Sequence, residues 1–182
     1  DDTFTYTYDD NGNLETKIIQ SVVSGFSADI EKDSGQFFSA ADSMSLSVTG
    51  DMTIECWVKF ETLPSLGARA AFVSKWDDAV GFLSYVFNLR NDGGTFKLNF
   101  LIAEDGINAA QADIAHTPAT GIWNHYALKY TSGVSPQIEI LKDGVSLGTA
   151  AFGQPTFANS IHDNASTLRI GAFASPAGNF LD

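Results

Sequence analysis

Short runs of alternating apolar and polar residues, separated by Gly, Asn, Asp and Pro, follow one another along most of the chain. The clearest run covers residues 52–60, in which every second side chain is apolar: Met52, Ile54, Cys56, Val58 and Phe60. Successive side chains of a strand point to opposite faces, so this run predicts a strand with one core-facing side. Trp57 falls on the opposite face, where it either packs into a second layer or stacks on a ligand.

The remaining runs predict about a dozen strands and no amphipathic helix. Asn91-Asp92-Gly93-Gly94 and Asp143-Gly144 suit tight antiparallel turns, which pairs residues 84–90 with 96–103 and residues 137–142 with 145–150. The other predicted strands are residues 3–8, 14–23, 36–40, 44–48, 70–74, 108–113, 123–131 and 167–173. This number and spacing favour an all-β fold, a two-sheet antiparallel sandwich, over a small barrel.

The length of 182 residues fits one main domain that can bury a core without a disulfide or a metal. We expect residues 1–24 to form an N-terminal hairpin or strand extension and residues 25–182 to form the main domain. Cys56 is the single cysteine, and its apolar surroundings in sequence predict a small buried hydrophobe rather than a reactive thiol.

Charge narrows the range of partners. Ten Lys and Arg against 22 Asp and Glu give a net charge of −12, which argues against nucleic acids and anionic membranes because both are bound through clustered cations. No apolar run approaches the ~20 residues of a membrane-spanning helix, and the start Asp1-Asp2-Thr3 carries no signal segment. We therefore expect a soluble chain with no membrane insertion.

Several segments, in order, resemble laminin-G-like domains of the concanavalin A-like lectin/glucanase superfamily. Residues 50–60 (GDMTIECWVKF) are similar to the family strand that ends in Trp-Val-Lys, and residues 72–77 (FVSKWD) to its Val-Ser-Lys strand end. Residues 121–130 (GIWNHYALKY) are similar to its Gly-x-Trp-x-His strand, and residues 138–145 (IEILKDGV) to its Asp-Gly hairpin. The resemblance implies a jelly-roll sandwich over roughly residues 26–182 and a secreted or cell-surface location. The alternative location is the surface of a virion.

The chain departs from that family at its end. The family closes with a strand of the type Phe-x-Gly-x-Ile-Asp-Glu-Val, whereas this sequence stops at Asn179-Phe180-Leu181-Asp182, so the last strand is expected to be missing. Unpaired rows of backbone groups are costly in a marginally stable domain. Three ways of filling the position stay open: residues 3–8 or 17–23 of the same chain, a strand from another chain, or polypeptide beyond residue 182.

The sequence predicts no enzyme. Glycoside hydrolases of this fold carry carboxylates spaced as Glu-x-Asp-x-x-Glu on one strand face, and that spacing is absent. Glu104 and Asp105 are adjacent, so they would point to opposite faces, and Gly106 marks a hairpin tip. The three histidines, His116, His125 and His162, show no zinc-binding spacing.

Calcium is the candidate cofactor, because loop carboxylates and carbonyl groups supply the hard oxygen ligands that it takes and jelly rolls of this type often hold it. Asp29, Asp33 and Asp163 are the candidate metal ligands. None of them belongs to an Asp-x-Asp-x-Asp-Gly loop, so solvated turn chemistry is the competing interpretation.

A sugar site needs an aromatic ring beside polar groups, because a pyranose has apolar faces and polar edges. Trp76, in a predicted loop, meets that description best, and the candidate ligand-binding residues are Trp76, Asp77, Asp78, Tyr85, Asn88 and Arg90. The leading hypothesis is a noncatalytic module of a secreted or surface protein that binds a glycan or glycoprotein. The alternative is a structural subunit of a filament, virion or adhesin that self-associates or binds another chain by β-strand addition.

Overall fold

A computed structural model describes residues 27–78, 81–153, 160–173 and 180–182, together with the backbone of two N-terminal strands. Twelve strands lie in this part of the chain: β1 (Thr3–Tyr8), β2 (Leu14–Gln20), β3 (Phe38–Ala40), β4 (Met52–Val58), β5 (Arg69–Trp76), β6 (Leu83–Asp92), β7 (Thr95–Ala103), β8 (Ala109–Ala115), β9 (Asn124–Tyr130), β10 (Ile138–Lys142), β11 (Val145–Ala150) and β12 (Leu168–Ile170). Two short 3₁₀ turns, Lys32–Ser34 and Met44–Leu46, complete the regular structure.

The strands form an antiparallel jelly-roll sandwich, as predicted. One sheet has the order β3-β12-β5-β6-β7-β8, and the other has the order β11-β10-β9-β4. The two predicted tight hairpins are present, since β6 pairs with β7 and β10 pairs with β11. Strands β1 and β2 pair with each other in a separate two-stranded sheet.

The core lies between the two main sheets. Aromatic rings meet across the gap: Phe72 of the six-stranded sheet stacks on Tyr126 of the four-stranded sheet, with ring centroids 5.8 Å apart and planes 7° from parallel. Phe100 and Tyr130 make a second contact at 5.9 Å. Burial of such large apolar side chains is the main stabilising term of a sandwich.

The predicted strand at residues 44–48 is wrong, because Met44–Leu46 forms a 3₁₀ turn. Met44, Leu46 and Val48 alternate with serines as they would in a strand, but the serines bond locally. The Ser43 and Ser45 hydroxyls lie 3.0 Å apart, and the Ser47 hydroxyl donates to the Ser43 carbonyl at 3.4 Å. Local serine bonds of this kind compete with sheet pairing, and the Met44 side chain is left 95% exposed.

Strand β4 lies at the edge of its sheet among the described residues. Its core-facing side chains Met52, Ile54 and Cys56 are half-buried, whereas the side chains opposite them on β9 are fully enclosed. The position beside β4 is therefore one of the two open sides of this sheet in the described structure, the other being beside β11. Neither β1 nor β2 pairs there, and residues 21–23 of the predicted alternative lie outside the described part.

The end of the chain lies close to this edge. The Glu61 amide donates to the Asp182 carbonyl at 3.0 Å, and the Leu181 amide donates to the Gly171 carbonyl at 2.9 Å. Residues 180–182 therefore lie against the segment that follows β4.

No helix in the described residues is long and apolar enough to cross a membrane.

Candidate ligand-binding surface

Trp57 lies on the outer face of the four-stranded sheet and is 65% exposed. Its direction follows from the alternation of β4, which turns Ile54, Cys56 and Val58 toward the core. Trp57 is the register partner of His125 on β9, and the two rings lie 5.2 Å apart with 43° between their planes. The neighbouring imidazole therefore supports one edge of the indole while its opposite side meets solvent.

A second tryptophan lies diagonally across the same strand pair. Trp123 directly precedes β9, two residues before His125, and is 47% exposed. The Lys59 ammonium lies 6.0 Å from the Trp123 ring centroid, which is within cation–π range. Since Lys59 and Trp57 are two residues apart on an extended segment, both indoles lie on one face.

Glu55 and the imidazole add polar groups to these rings. The Glu55 carboxylate lies 3.6 Å from His125 Nε2. We call the surface formed by Glu55, Trp57, Lys59, Trp123 and His125 the aromatic patch. It combines two exposed indole rings with a carboxylate, an imidazole and an ammonium, so it can stack on an apolar ring and hydrogen-bond to the polar edge of that ring.

The β10–β11 turn fixes the backbone below the aromatic patch. The His125 amide donates to the Asp143 carboxylate at 2.9 Å, and the Asp143 amide donates to the His125 carbonyl at 2.8 Å. Hydrogen bonds from Lys142 and from the His125 amide lower the pKa of Asp143, so this carboxylate stays ionised. The turn thereby holds the β9 backbone at His125 in place.

Trp76 is a strand residue and not a loop residue, contrary to the sequence prediction. It ends β5, and a register shift between Lys75 and Trp76 precedes it. The ring is 4% exposed, packs 6.1 Å from Phe173, and donates from Nε1 to Asp78 at 3.1 Å. In this conformation Trp76 offers no open ring face to a sugar.

The other predicted ligand-binding residues fall into different environments. Asp77 and Asp78 lie in the loop after β5, and the Asp77 amide donates to the Phe82 carbonyl at 3.0 Å. Tyr85 is buried in the core between the sheets. Asn88 and Arg90 lie on the opposite face of β6, so the structure does not bring the six residues together, and their binding role stays a prediction.

Asn88 and Arg90 belong to a polar network on the outer face of the six-stranded sheet. The Asn88 amide donates to Asn99 at 3.0 Å, and Arg69 donates to Asn99 at 2.7 Å. Arg90 pairs with Asp92 at 2.6 Å and with Asp113 at 3.2 Å. Desolvation, followed by the charge of Arg90, lowers the pKa of Arg69. The network satisfies most of its own polar groups, which leaves little free for a ligand.

Two predicted calcium ligands, Asp29 and Asp33, lie in an exposed acidic segment. The charge of Asp29, then desolvation and the charges of Glu61, Asp182 and Asp33, raise the pKa of Glu31. Within the described ranges, no group of three or more His, Cys, Asp or Glu side chains could hold a metal ion. The role of Asp29 and Asp33 as calcium ligands, which would need six to eight converging oxygens, therefore stays a prediction.

Asp163, the third predicted ligand, lies beside a lysine. Its carboxylate oxygen is 3.8 Å from the Lys75 ammonium. A carboxylate next to a fixed cation is a poor calcium ligand because the two positive charges repel each other. With the Lys75 ammonium in this position, the residues near Asp163 do not fit calcium.

Asp105, Cys56 and His116 each have local contacts or burial that the structure describes. Asp105 accepts hydrogen bonds from the amides of Ile107 and Asn108 in the β7–β8 turn, as the hairpin prediction requires. Burial raises the pKa of the Cys56 thiol to about 12, so the nucleophilic thiolate is disfavoured. His116 Nε2 lies within hydrogen-bonding distance, 3.0 Å, of the hydroxyl of the core residue Tyr126.

A small cavity lies near the start of β5, between Thr62, Arg69 and Phe180. Its volume is about 40 Å³, which leaves room for a few water molecules and is too small for a sugar ring. The flat aromatic patch is thus a better candidate ligand surface than this cavity.

The aromatic patch was not among the predicted ligand-binding residues, although the sequence carries a signal for it. The alternation in residues 52–60 already placed Trp57 on the face opposite the core. The Trp123-x-His125 spacing likewise placed those two side chains together on one face of their own strand. What the sequence lacked was the β4–β9 register that sets Trp57 opposite His125.

A comparison with protein families identifies the family of this chain. The sequence matches the family model Laminin_G_3, described as the concanavalin A-like lectin/glucanases superfamily, over residues 32–181. No curated protein matches the chain. Among solved structures, the native heptameric SAP-like pentraxin from Limulus polyphemus is similar at 14% identity and a TM-score of 0.43; the match covers 69% of this chain and 55% of that chain. The chain thus spans little more than half of that pentraxin. Because the family match covers most of the sequence, the chain belongs to the Laminin_G_3 family of the concanavalin A-like lectin/glucanases superfamily.

Proposed function

We propose that this chain is a noncatalytic recognition module that binds glycans on the aromatic patch. Its family and fold are typical of binding domains, which supports the noncatalytic part of the proposal. The observation that carries the glycan part is the exposure of Trp57 beside Trp123 on one sheet face. Large aromatic side chains are normally buried, so two exposed indoles on a rigid sheet indicate an interaction surface.

The chemistry of the patch favours a neutral sugar. The indole faces suit the apolar face of a pyranose ring, and the groups of Glu55, Lys59 and His125 can hydrogen-bond to its hydroxyls. The net charge of −12, with Glu55 in the patch and Asp143 below it, disfavours acidic glycans. We further propose a secreted or cell-surface location, where laminin-G-like domains commonly occur.

A glycan array of neutral and acidic oligosaccharides, probed with the labelled chain in buffer containing EDTA, tests this function. We expect binding to neutral members and no change in their mass on prolonged incubation with the protein. Binding to no member would refute glycan recognition, and cleavage of a bound member would refute the noncatalytic role.

The open edge of β4 supports a second candidate function, a structural subunit joined by strand addition. A strand from another chain could hydrogen-bond along β4 and cover Met52, Ile54 and Cys56, which are only half-buried. Such a strand would need apolar side chains at alternate positions to meet these three residues. Light scattering over a range of protein concentrations tests this candidate: discrete oligomers favour it, and a monomer at every concentration refutes self-assembly.

A further inference from the structure

The Lys75 ammonium lies among oxygen atoms at one margin of the core. Lys75 is fully buried, and its side chain turns inward beside Tyr85, its partner in the β5–β6 ladder. The ammonium donates to the Asn164 backbone carbonyl and lies 3.5 Å from Asn164 Oδ1. It also pairs with Asp42 at 3.0 Å and with Asp163 at 3.8 Å.

These partners are of the kinds that bind a hard divalent cation. Two carboxylates, a backbone carbonyl and an amide oxygen converge from two loops, residues 41–43 and residues 160–167, onto the end of β5. Calcium takes the same types of oxygen. Here the centre of the set is taken by an ammonium that belongs to the chain, and a second cation at this point would meet strong repulsion.

The hydrogen bonds around Asn164 keep the set in place. Asn164 Oδ1 accepts from the Ser166 amide at 2.9 Å, and the Ser166 hydroxyl donates to the Phe82 carbonyl at 2.8 Å. The buried Asn164 Nδ2 has no hydrogen-bond partner within the described residues. A buried charge is tolerated only when it is paired, so the stability of this margin depends on the Lys75 contacts.

We infer that the Lys75 ammonium occupies the position, among the oxygens of Asp42, Asp163 and Asn164, that a calcium ion would otherwise take. Asp42, Asp163 and Asn164 then act as ligands of an ammonium, and the margin needs no metal to hold its two loops on β5. This inference is independent of the glycan proposal, because Lys75 is buried between the sheets and the aromatic patch lies on an outer face.

Thermal unfolding with millimolar calcium chloride or with excess EDTA tests the inference. The wild-type Tm should be the same in both buffers. K75M removes the charge but keeps an apolar stem, so its Tm should fall by several degrees in EDTA and recover in part with calcium, whose ligands beyond the four oxygens would be water molecules. K75M/D163N replaces one carboxylate with a neutral amide, which is a weaker calcium ligand, and should recover much less. A calcium-induced rise in the wild-type Tm that D163N abolishes, or a K75M variant that is indifferent to calcium, would overturn the inference.

If K75M does not fold, calcium titration calorimetry of the wild type and D163N provides a second test. We expect the same heats for both proteins, because the ammonium excludes calcium from this set. A binding isotherm that the wild type shows and D163N lacks would overturn the inference.

Discussion

Trp57 has more contact with solvent than with the protein, although it belongs to the regular strand β4. The outward turn of this residue sets its ring against His125 and leaves the rest of the indole free. An exposed tryptophan of this kind contributes little to folding, since it buries little area, but it contributes a large area to any ligand that covers it.

Truncation of Trp57 should therefore lower the affinity for a glycan and leave the free energy of unfolding almost unchanged. We expect W57A to weaken the affinity for a glycan found on the array by about thirtyfold, equivalent to about 2 kcal/mol, when measured by titration calorimetry. Its unfolding free energy should stay within about 0.5 kcal/mol of the wild type. W57F keeps a ring and should lose less affinity, and L66A is a matched control at another exposed apolar residue. Unchanged affinity in W57A would exclude Trp57 from the site.

The lowered pKa of Asp105 should account for part of the pH dependence of the free energy of unfolding. Hydrogen bonds from the Asn108 amide, the Asn108 side chain and the Ile107 amide lower the pKa of Asp105 to about 2, against about 3.9 in an unfolded chain. A lowered folded-state pKa stabilises the native state above the unfolded value, and this contribution is lost as the pH falls from about 4 to about 2. Denaturant unfolding should show a shallower pH dependence for D105N in this window. Identical profiles would contradict this role.

Gly106, the next residue in this turn, should tolerate no side chain. Its φ is +75°, and an added Cβ would lie 2.6 Å from the His162 ring and 3.0 Å from the Gly81 backbone. G106A should lose about 1–3 kcal/mol of unfolding free energy beyond any loss in G93A. Gly93 is a fair control because it also has positive φ but open space around it. Equal losses in the two variants, measured by urea unfolding, would show that the contact with His162 carries no energy.

At the scale of elements, most alternating runs were predictable, and the run at residues 44–48 was not. Strands β6, β7, β10 and β11 follow from apolar periodicity and Asp-Gly turns, which are local signals. Residues 44–48 have the same alternation, yet serine hydroxyls close a 3₁₀ turn there. Local hydrogen bonds decide between turn and strand in a run this short, and apolar periodicity does not report them.

The edge of β4 can be probed through Cys56, the single cysteine of the chain. The raised pKa of the Cys56 thiol slows its reaction, but because the side chain is only half-buried at an open edge, a small thiol reagent should still label native protein faster than global unfolding allows. A strand added along β4 should slow this labelling at higher protein concentration. C56S/A112C is the control, since it moves the thiol to the closed core. Labelling of Cys56 as slow as that of the control at every concentration would show that the β4 edge is covered.

For the whole molecule, family resemblance and alternation were enough to predict the sandwich, and the family match confirms it. They were not enough to predict the candidate site. Trp76 looked like a loop residue because two aspartates follow it, but a register shift in β5 turns it into an apolar cluster with Val86 and Leu101. Bulges and cross-strand registers depend on packing between distant segments, so no local pattern reveals them.

The indole N–H signals test the central claim most directly, because the chain has three tryptophans and each has a different environment. A ¹H–¹⁵N spectrum, assigned with W57F, W76F and W123F, should be recorded during titration with a neutral oligosaccharide selected from the array. The aromatic patch predicts that the Trp57 and Trp123 signals shift together while the Trp76 signal, buried and bonded to Asp78, stays in place. A shift confined to Trp76, or no indole shift at saturating ligand, would contradict glycan recognition by the aromatic patch.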